Sequence, residues 1–387
     1  QVYGGKIYSH YLQEALGDLK DAPIERWVRK ERLSLVDGSN RCVSVEYEGR
    51  EPAAFTAYLT RFTSWLVNRA VEAGAVFVDE VRVDSIVRDE SGAVSGVEAG
   101  GERAEADVVI DAEGVNRLLL ERLGLAERTS ARSVALGVKE TIRIGEREVE
   151  ERFGLDKGEG LSWILIGSVT GGLPGGAFVY TNKDTVSLGL VLYLDAAIRS
   201  IKEPVYSMVE ALRMGELLRR YWEDGDVVEY SAKLTPESGY RYVPRKLATD
   251  GLMVVGDAGG LLLNLGYTFR GVDYAVYSGH LAGKAAVASR DRRRPSEEVL
   301  RELYEGPLRA SRPFRDLERL RGVERAMESG GRYFEGYPAL AAAVLDRMFN
   351  LREGSPSVYE SIEGAAKESN VSLLRAALDI LRMVREI

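Results

Sequence analysis

A carboxylate set among glycines is the group in this chain best placed to do chemistry. Leu252-Met253-Val254-Val255 breaks into Gly256-Asp257-Ala258-Gly259-Gly260, and a long proline-free stretch, 261–288, rich in Gly, Ala and Tyr, follows. An apolar strand, a small-residue turn and a helix are how α/β proteins bring backbone amides against a polar cofactor. A carboxylate at such a turn accepts a hydrogen bond from a sugar-alcohol hydroxyl. No Gly-Lys-Ser/Thr follows, so the turn points to a flavin rather than to a nucleoside triphosphate. The ordinary alternative for Asp257 is a helix N-cap.

The elements that must position this turn are legible in the hydrophobic periodicity. Residues 62–72 predict a helix with Trp65, Leu66, Ala70 and Val71 on its apolar side. Strands are expected over 75–78 and 81–87, and Ser91-Gly92 makes a hairpin turn into a strand at 94–97. An apolar strand over 106–112 ends at Glu113-Gly114, and a helix over 117–123 stops at Gly124, a residue suited to the position after a helix end. From about 133 to 243 strands dominate: 135–144, 161–168, 175–180, 185–193 and 227–233. Helices are expected at 205–213 and 216–222. The chain returns to the nucleotide-binding pattern at 252 and reads as helical from about 296, with a turn at Gly354-Ser355-Pro356.

Composition narrows the function classes. A chain of 387 residues with 45% hydrophobic content can build two packed domains. A net charge of −8 argues against a general nucleic-acid surface. The single cysteine, Cys42, cannot form an internal disulfide or hold an iron–sulfur cluster, which takes about four ligands, and reads as a small strand residue. Two histidines and one cysteine make a His/Cys zinc site improbable. No apolar run approaches the roughly 20 residues of a membrane-spanning helix, and no signal peptide is visible. These features lead to the expectation of a cytoplasmic protein whose membrane contact, where it occurs, is peripheral at the inner face. Leu374, Ala377, Leu378 and Leu381 share one face of a C-terminal helix that could dock a partner or a membrane surface, with core packing as the alternative.

The motifs, taken together, resemble a known family. Gly256-Asp257-Ala258-Gly259-Gly260, Asn264-Leu265-Gly266, Arg270-Gly271-Val272-Asp273-Tyr274-Ala275 and Ser278-Gly279 resemble the second FAD motif of the FixC branch of flavoproteins. That branch is related to electron-transfer flavoprotein:quinone oxidoreductases and to geranylgeranyl reductases. Gly4-Gly5-Lys6-Ile7-Tyr8-Ser9-His10, Arg61-Phe62 with Trp65-Leu66, Ala73-Gly74-Ala75 and Gly137-Val138-Lys139-Glu140 are similar to the same branch. So are the long stretch 178–191, Pro236-Glu237-Ser238-Gly239 and Gly336-Tyr337-Pro338. The resemblance covers nearly the whole chain in order.

This resemblance implies a mixed α/β (α+β) fold. Its FAD-binding Rossmann-like domain would be of the p-hydroxybenzoate hydroxylase/glutathione reductase type, N-terminally incomplete, with an inserted antiparallel-sheet substrate domain and a helical C-terminus. The expected division is 1–132 and 244–295 for the FAD-binding domain, 133–243 for the substrate or partner domain, and 296–387 for the helical region. The resemblance also implies cofactor contacts. Asp257, within Gly256 to Gly259, meets the ribityl chain. Asn264, Leu265 and Gly266 pass along the flavin pyrimidine edge, where amides favour negative charge on the reduced ring. Arg61 lies near the FAD phosphates, with a surface salt bridge as the alternative. Val83 meets the adenine through its backbone. Ala112 and Gly114 complete the set, with Glu113 standing where relatives often carry Asp. Lys139, Glu140, Tyr180, Asn182 and Glu237 would shape the second face of the flavin, or serve as structural polar residues at strand ends. His10 is given no catalytic role.

One element of the family is missing. A Gly-x-Gly-x-x-Gly turn after a first strand should cradle the pyrophosphate, and no such turn appears in context. Gly171-Gly172-Leu173-Pro174-Gly175-Gly176 lies among strands and carries a proline, so it makes a poor cradle. The Gly-Gly-x-x-Tyr-x-His segment begins at Gly4, where a first β–α–β unit of roughly 30 residues should precede it. The chain is therefore expected to lack that unit and to bind FAD weakly or not at all, while its full-length parent binds it.

The resemblance implies a FAD-dependent oxidoreductase that passes electrons from an electron-transfer flavoprotein to a ferredoxin-like protein or a quinone. With one cysteine, the ferredoxin-like partner would be a separate subunit. The alternatives are a geranylgeranyl reductase-type enzyme acting on prenyl double bonds, a flavin monooxygenase, or a non-catalytic subunit that only binds partners.

Overall fold

The computed structural model describes residues 5–237, 239–292, 294–322, 331–351 and 354–386. Gly4 and Ser238 of the motifs above fall outside them.

Alternation along residues 134–236 builds a sheet with two unlike faces. Strands β9 (Val134–Arg143), β10 (Glu159–Gly167), β11 (Gly175–Thr181), β12 (Thr185–Tyr193) and β13 (Asp226–Pro236) lie in the order β10-β11-β12-β9-β13. On one face Val138, Ile142, Trp163, Val179, Leu188 and Leu190 pack under helices α4 (Glu146–Phe153) and α6 (Val205–Met214). On the other, Ala135, Ile164, Phe178 and Val191 form a smaller apolar cluster with Ile166 and Tyr180. The period of two in each strand separates the two sets.

The sheet extends beyond this segment. Strands β1 (Gly5–Tyr8), β2 (Arg26–Val36), β3 (Cys42–Glu48) and β4 (Ala54–Ala57) join it, with β2 parallel to β10, and the whole reaches nine strands. It therefore crosses the expected boundary at 132/133. Arg26 locks the join from a buried position: its guanidinium donates to the carbonyls of Asn182, Lys183 and Glu159 and to the Glu150 carboxylate.

A smaller sheet carries the glycine turn. Strand β8 (Val109–Asp111) pairs in parallel with β15 (Leu252–Val254), Asp111 opposite Val254. The carboxyl ends of two parallel strands thus open side by side, the usual seat of a ligand in α/β proteins. Helix α7 (Val272–Ala288) backs the turn, and helix α2 (Leu59–Glu72) packs Phe62, Trp65 and Leu66 with Val272 and Val276 of α7.

Three expectations are corrected. Residues 75–84 form no strand: only Ser85–Arg88 (β5) pairs, with Val94–Ala99 (β6). Val76 is 89% exposed, and Phe77, Val78 and Val81 are exposed as well. A strand needs a neighbour for its amides and carbonyls, and none of the described strands pairs with this stretch. The helix expected at 216–222 shrinks to one 3₁₀ turn, Arg219–Tyr221. Leu218, Tyr221 and Trp222 are buried beneath the sheet, and the Trp222 indole donates to the Arg213 carbonyl at 2.9 Å, so tertiary packing overrides the helical pattern. Finally, among the described residues core packing does not cover the apolar face expected on the C-terminal helix Leu373–Glu386. Ala376 is buried, but Leu374, Leu378 and Leu381 are exposed. Among the described residues no helix is long and apolar enough to cross a membrane.

Candidate functional site

The glycine turn is built around its backbone. Gly256 sits at φ +59°, and an added Cβ would lie 3.2 Å from the Cβ of Ala275 on α7. Only glycine accepts both the left-handed backbone and that close approach without strain. The Gly256 amide donates to Ser278 Oγ at 3.0 Å, which ties the turn to the helix behind it. Asp257 follows inside a short 3₁₀ turn whose N-cap is Val255, so it does not occupy the capping position. Its carboxyl is pushed above the ordinary range by burial, against the opposing charges of Lys233 and Arg117.

Asp257 lines a cavity of about 350 Å³ between the two sheets. One wall is the apolar cluster of the large sheet: Ile164, Ile166, Phe178, Tyr180 and Val191. The Phe178 and Tyr180 rings are stacked at 4.9 Å and 24°. The facing wall is the segment from Leu262 to Gly271. There Asn264, buried, donates from Nδ2 to Glu237 Oε2 at 2.5 Å and accepts the Gly266 amide at 2.7 Å through Oδ1. A cluster of rings and charges holds that segment. Arg270 pairs with buried Asp273 at 2.5 Å and lies over the rings of Tyr8, Tyr11 and Tyr274, while Tyr8 bonds Thr268 at 2.7 Å.

A flavin ring and its ribityl chain fit this arrangement. The volume lies at the small end of ligand pockets, the walls are largely apolar, and a few polar groups converge on one edge. Close backbone approach is built in: a Cβ on Gly5 would lie 2.6 Å from the Tyr180 ring. At the end of β8, Asp111 Oδ2 is buried without a hydrogen-bond partner, and burial pushes its carboxyl up to about 6.

Of the residues expected at the cofactor, Ala112, Gly114, Gly256, Asp257, Asn264 and Gly266 line this one cavity. Gly259 and Leu265 do not; Gly259 is buried, and Leu265 packs against the core behind the turn. Arg61 also lies elsewhere, its side chain 68% exposed, 3.3 Å from Glu25 and over the Tyr58 ring. Val83 sits in the unpaired stretch before β5. Glu113 turns inward and accepts the amides of Leu119 and Leu120, so it caps helix α3 (Leu118–Arg122). Of the residues expected on the second face, Tyr180 and Glu237 line the cavity. Lys139 is buried 3.4 Å from Glu229, Glu140 pairs with Arg213 under the helices, and Asn182 bonds Thr185 and Ser187. Lys233, on β13, lines the cavity and had no motif to mark it. A lone lysine in an alternating strand reads from sequence as a solvated face.

Comparison with known proteins gives the family. The family described as FAD dependent oxidoreductase matches residues 7–285. A probable electron transfer flavoprotein-quinone oxidoreductase of Escherichia coli K12, YdiS, is 37% identical over 373 residues, covering 94% of this chain and 85% of that one. Protein FixC of Salmonella typhi is 37% identical over 365 residues, covering 92% and 83%. Among solved structures, a geranylgeranyl bacteriochlorophyll reductase-like protein of Thermoplasma acidophilum superposes with a TM-score of 0.68, covering 97% of this chain and 88% of that one. At 16% identity that likeness concerns the fold.

Proposed function

The chain belongs to the family of FAD dependent oxidoreductases, and from that premise we propose that it takes electrons from an electron-transfer flavoprotein and passes them to a ferredoxin-like protein or a quinone. That it is an oxidoreductase with FAD as cofactor and a role in electron transfer follows from the family and from the FixC and YdiS relatives. The choice of partners is the further step. When bound, FAD supplies the electron chemistry, and the protein supplies position, potential and access.

The observation that carries the reading is the cavity itself. Asp257 and the Asn264–Gly266 edge face an apolar sheet wall across a space suited to a planar ring. In this reading Asp257 accepts a ribityl hydroxyl, and the Gly266 backbone follows the pyrimidine edge. Gly114, beside Ala112, lies along the same path, and Gly256 and Gly259 keep the turn close to the cofactor. Leu265 acts through its backbone. Arg61 and Val83 are assigned to the phosphate and adenine. Lys233 adds a positive charge near Asp257, which favours negative charge on a reduced ring. The single Cys42 cannot hold an iron–sulfur cluster, and we assign the ferredoxin-like centre to a separate subunit. The exposed Leu374, Leu378 and Leu381 face supports peripheral contact with a membrane or a partner.

A second reading rests on the same apolar wall. Ile164, Ile166, Phe178 and Val191 suit a prenyl chain as well as a quinone ring. Anaerobic mixing of the FAD-loaded protein with reduced electron-transfer flavoprotein separates the two. The proposal expects bleaching of the flavin band and its recovery on adding a quinone analogue or a ferredoxin. No electron uptake from that donor, together with a saturated prenyl product, decides for the lipid reductase.

A further inference from the structure

We propose that a second cleft, adjoining the flavin cavity, binds a phosphate-bearing small molecule of nucleotide size. The cleft has a volume of about 1230 Å³ and is enclosed by the segment 124–133, helix α5 (Leu194–Ser200) and the segment 241–246. Arg128, Arg132, Arg199, Arg241, Arg245 and Lys246 surround it, and Arg117 contributes to its wall. Two acids, Glu127 and Asp195, stand against these seven cations. Asp195 is shared between Arg132 and Arg199, at 3.8 and 2.8 Å, and Lys246 is held 2.8 Å from Glu297. In a chain of net charge −8, such a concentration of positive charge in one concave place focuses an attractive field for anions.

Arg117 adds a buried charge to the wall of the cleft. It is 4% exposed, its guanidinium lies 3.4 Å from the centre of the Tyr242 ring, and its backbone adopts a left-handed φ of 53°. Nε and Nη2, the two nitrogens of one bidentate edge, are buried without a hydrogen-bond acceptor. Asp111, Glu113 and Asp257 act on it through their charges, yet none bonds those two nitrogens. A guanidinium edge with no acceptor of its own has the fork geometry that matches phosphate, and a ligand gains it once the covering side chains give way. Concavity favours a small molecule over the flatter surface of a protein partner. Tyr193 lines both the cleft and the flavin cavity, so a ligand here would sit beside the redox site.

Calorimetric titration with inorganic pyrophosphate and with ADP, at low ionic strength, tests this on the protein without added flavin. The expected result is saturable one-to-one binding that weakens with added salt and falls at least about tenfold in an Arg128→Ser/Arg245→Ser double variant. Those two exposed side chains can be changed without disturbing the core, and Arg117→Gln then tests the buried fork. The proposal is overturned if neither probe binds saturably or if the double variant binds them as wild type does. A last arm separates the two sources of a diphosphate. ADP binding that persists under saturating FAD supports a distinct site; ADP displaced completely by FAD identifies the cleft as the seat of the cofactor's own diphosphate and overturns the proposal.

Discussion

At the flavin end of the proposed cofactor site, Asn264 and Glu237 are buried and bonded to one another at 2.5 Å, and Asp257 opens into a walled cavity. At the adenosine end, Arg61 is 68% exposed and pairs with Glu25, and Val83 belongs to a stretch with no strand partner. The flavin end is organised by the chain before any ligand arrives, whereas the residues assigned to the adenosine end are not gathered around a common space. Preorganised polar groups give more binding free energy per contact than groups that must first be ordered.

The comparison breaks most readily at Asp257. Asp257→Ala removes the carboxylate assigned to the ribityl chain, and FAD affinity should fall roughly 10- to 100-fold, as loss of a hydrogen bond to a charged group predicts. Fluorescence titration checks it, and an unchanged affinity would remove the assignment. Next in size is the Asn264–Glu237 pair. Glu237→Leu leaves the buried Asn264 amide without its acceptor and should cost about 1–3 kcal/mol of stability. A double variant that also carries Asn264→Leu should lose less than the sum of the two singles, a coupling read from denaturant unfolding.

Asp111 sharpens the comparison through pH. Burial raises its carboxyl from 3.8 to about 6. A raised carboxyl favours the folded state when protonated, so this stabilisation is present below about pH 4 and is lost as pH rises through about 6. Asp111→Asn removes that dependence, so its stability relative to wild type should climb by on the order of 1–3 kcal/mol between pH 4 and 7. A constant difference across that window contradicts the burial effect. The smallest change belongs to Arg61→Ala. An exposed pair contributes under about 1 kcal/mol to stability, and because the Arg61 side chain must leave Glu25 and be ordered before it meets a phosphate, FAD affinity should change by less than about fivefold. A large loss of affinity would show that the adenosine end is as preorganised as the flavin end.

Much of this was readable from residues. The turn at Gly256–Asp257, the sheet strands of 134–236 and helix α2 announce themselves through apolar periodicity and glycine placement, because each is specified locally. Strands β2 to β4 had no such announcement: β2 alternates imperfectly, and its parallel pairing with β10 joins residues far apart in sequence. Residues 75–83 show the converse, a strand-like pattern without a strand, since pairing depends on a neighbour and not on propensity alone. At the site, Asp257 and Asn264 lay in motifs, but Lys233 and Arg117 did not. Their significance comes from where β13 and the turn after β8 place them, one beside the flavin cavity and one in the wall of the cleft beyond it.

A crystal structure of the protein with FAD bound tests the central assignment most directly. The flavin ring is expected between the Phe178–Tyr180 wall and the Asn264–Gly266 edge, with a ribityl hydroxyl within hydrogen-bond distance of Asp257. Flavin density in the arginine-lined cleft, or anywhere that leaves Asp257 without a contact, would contradict it.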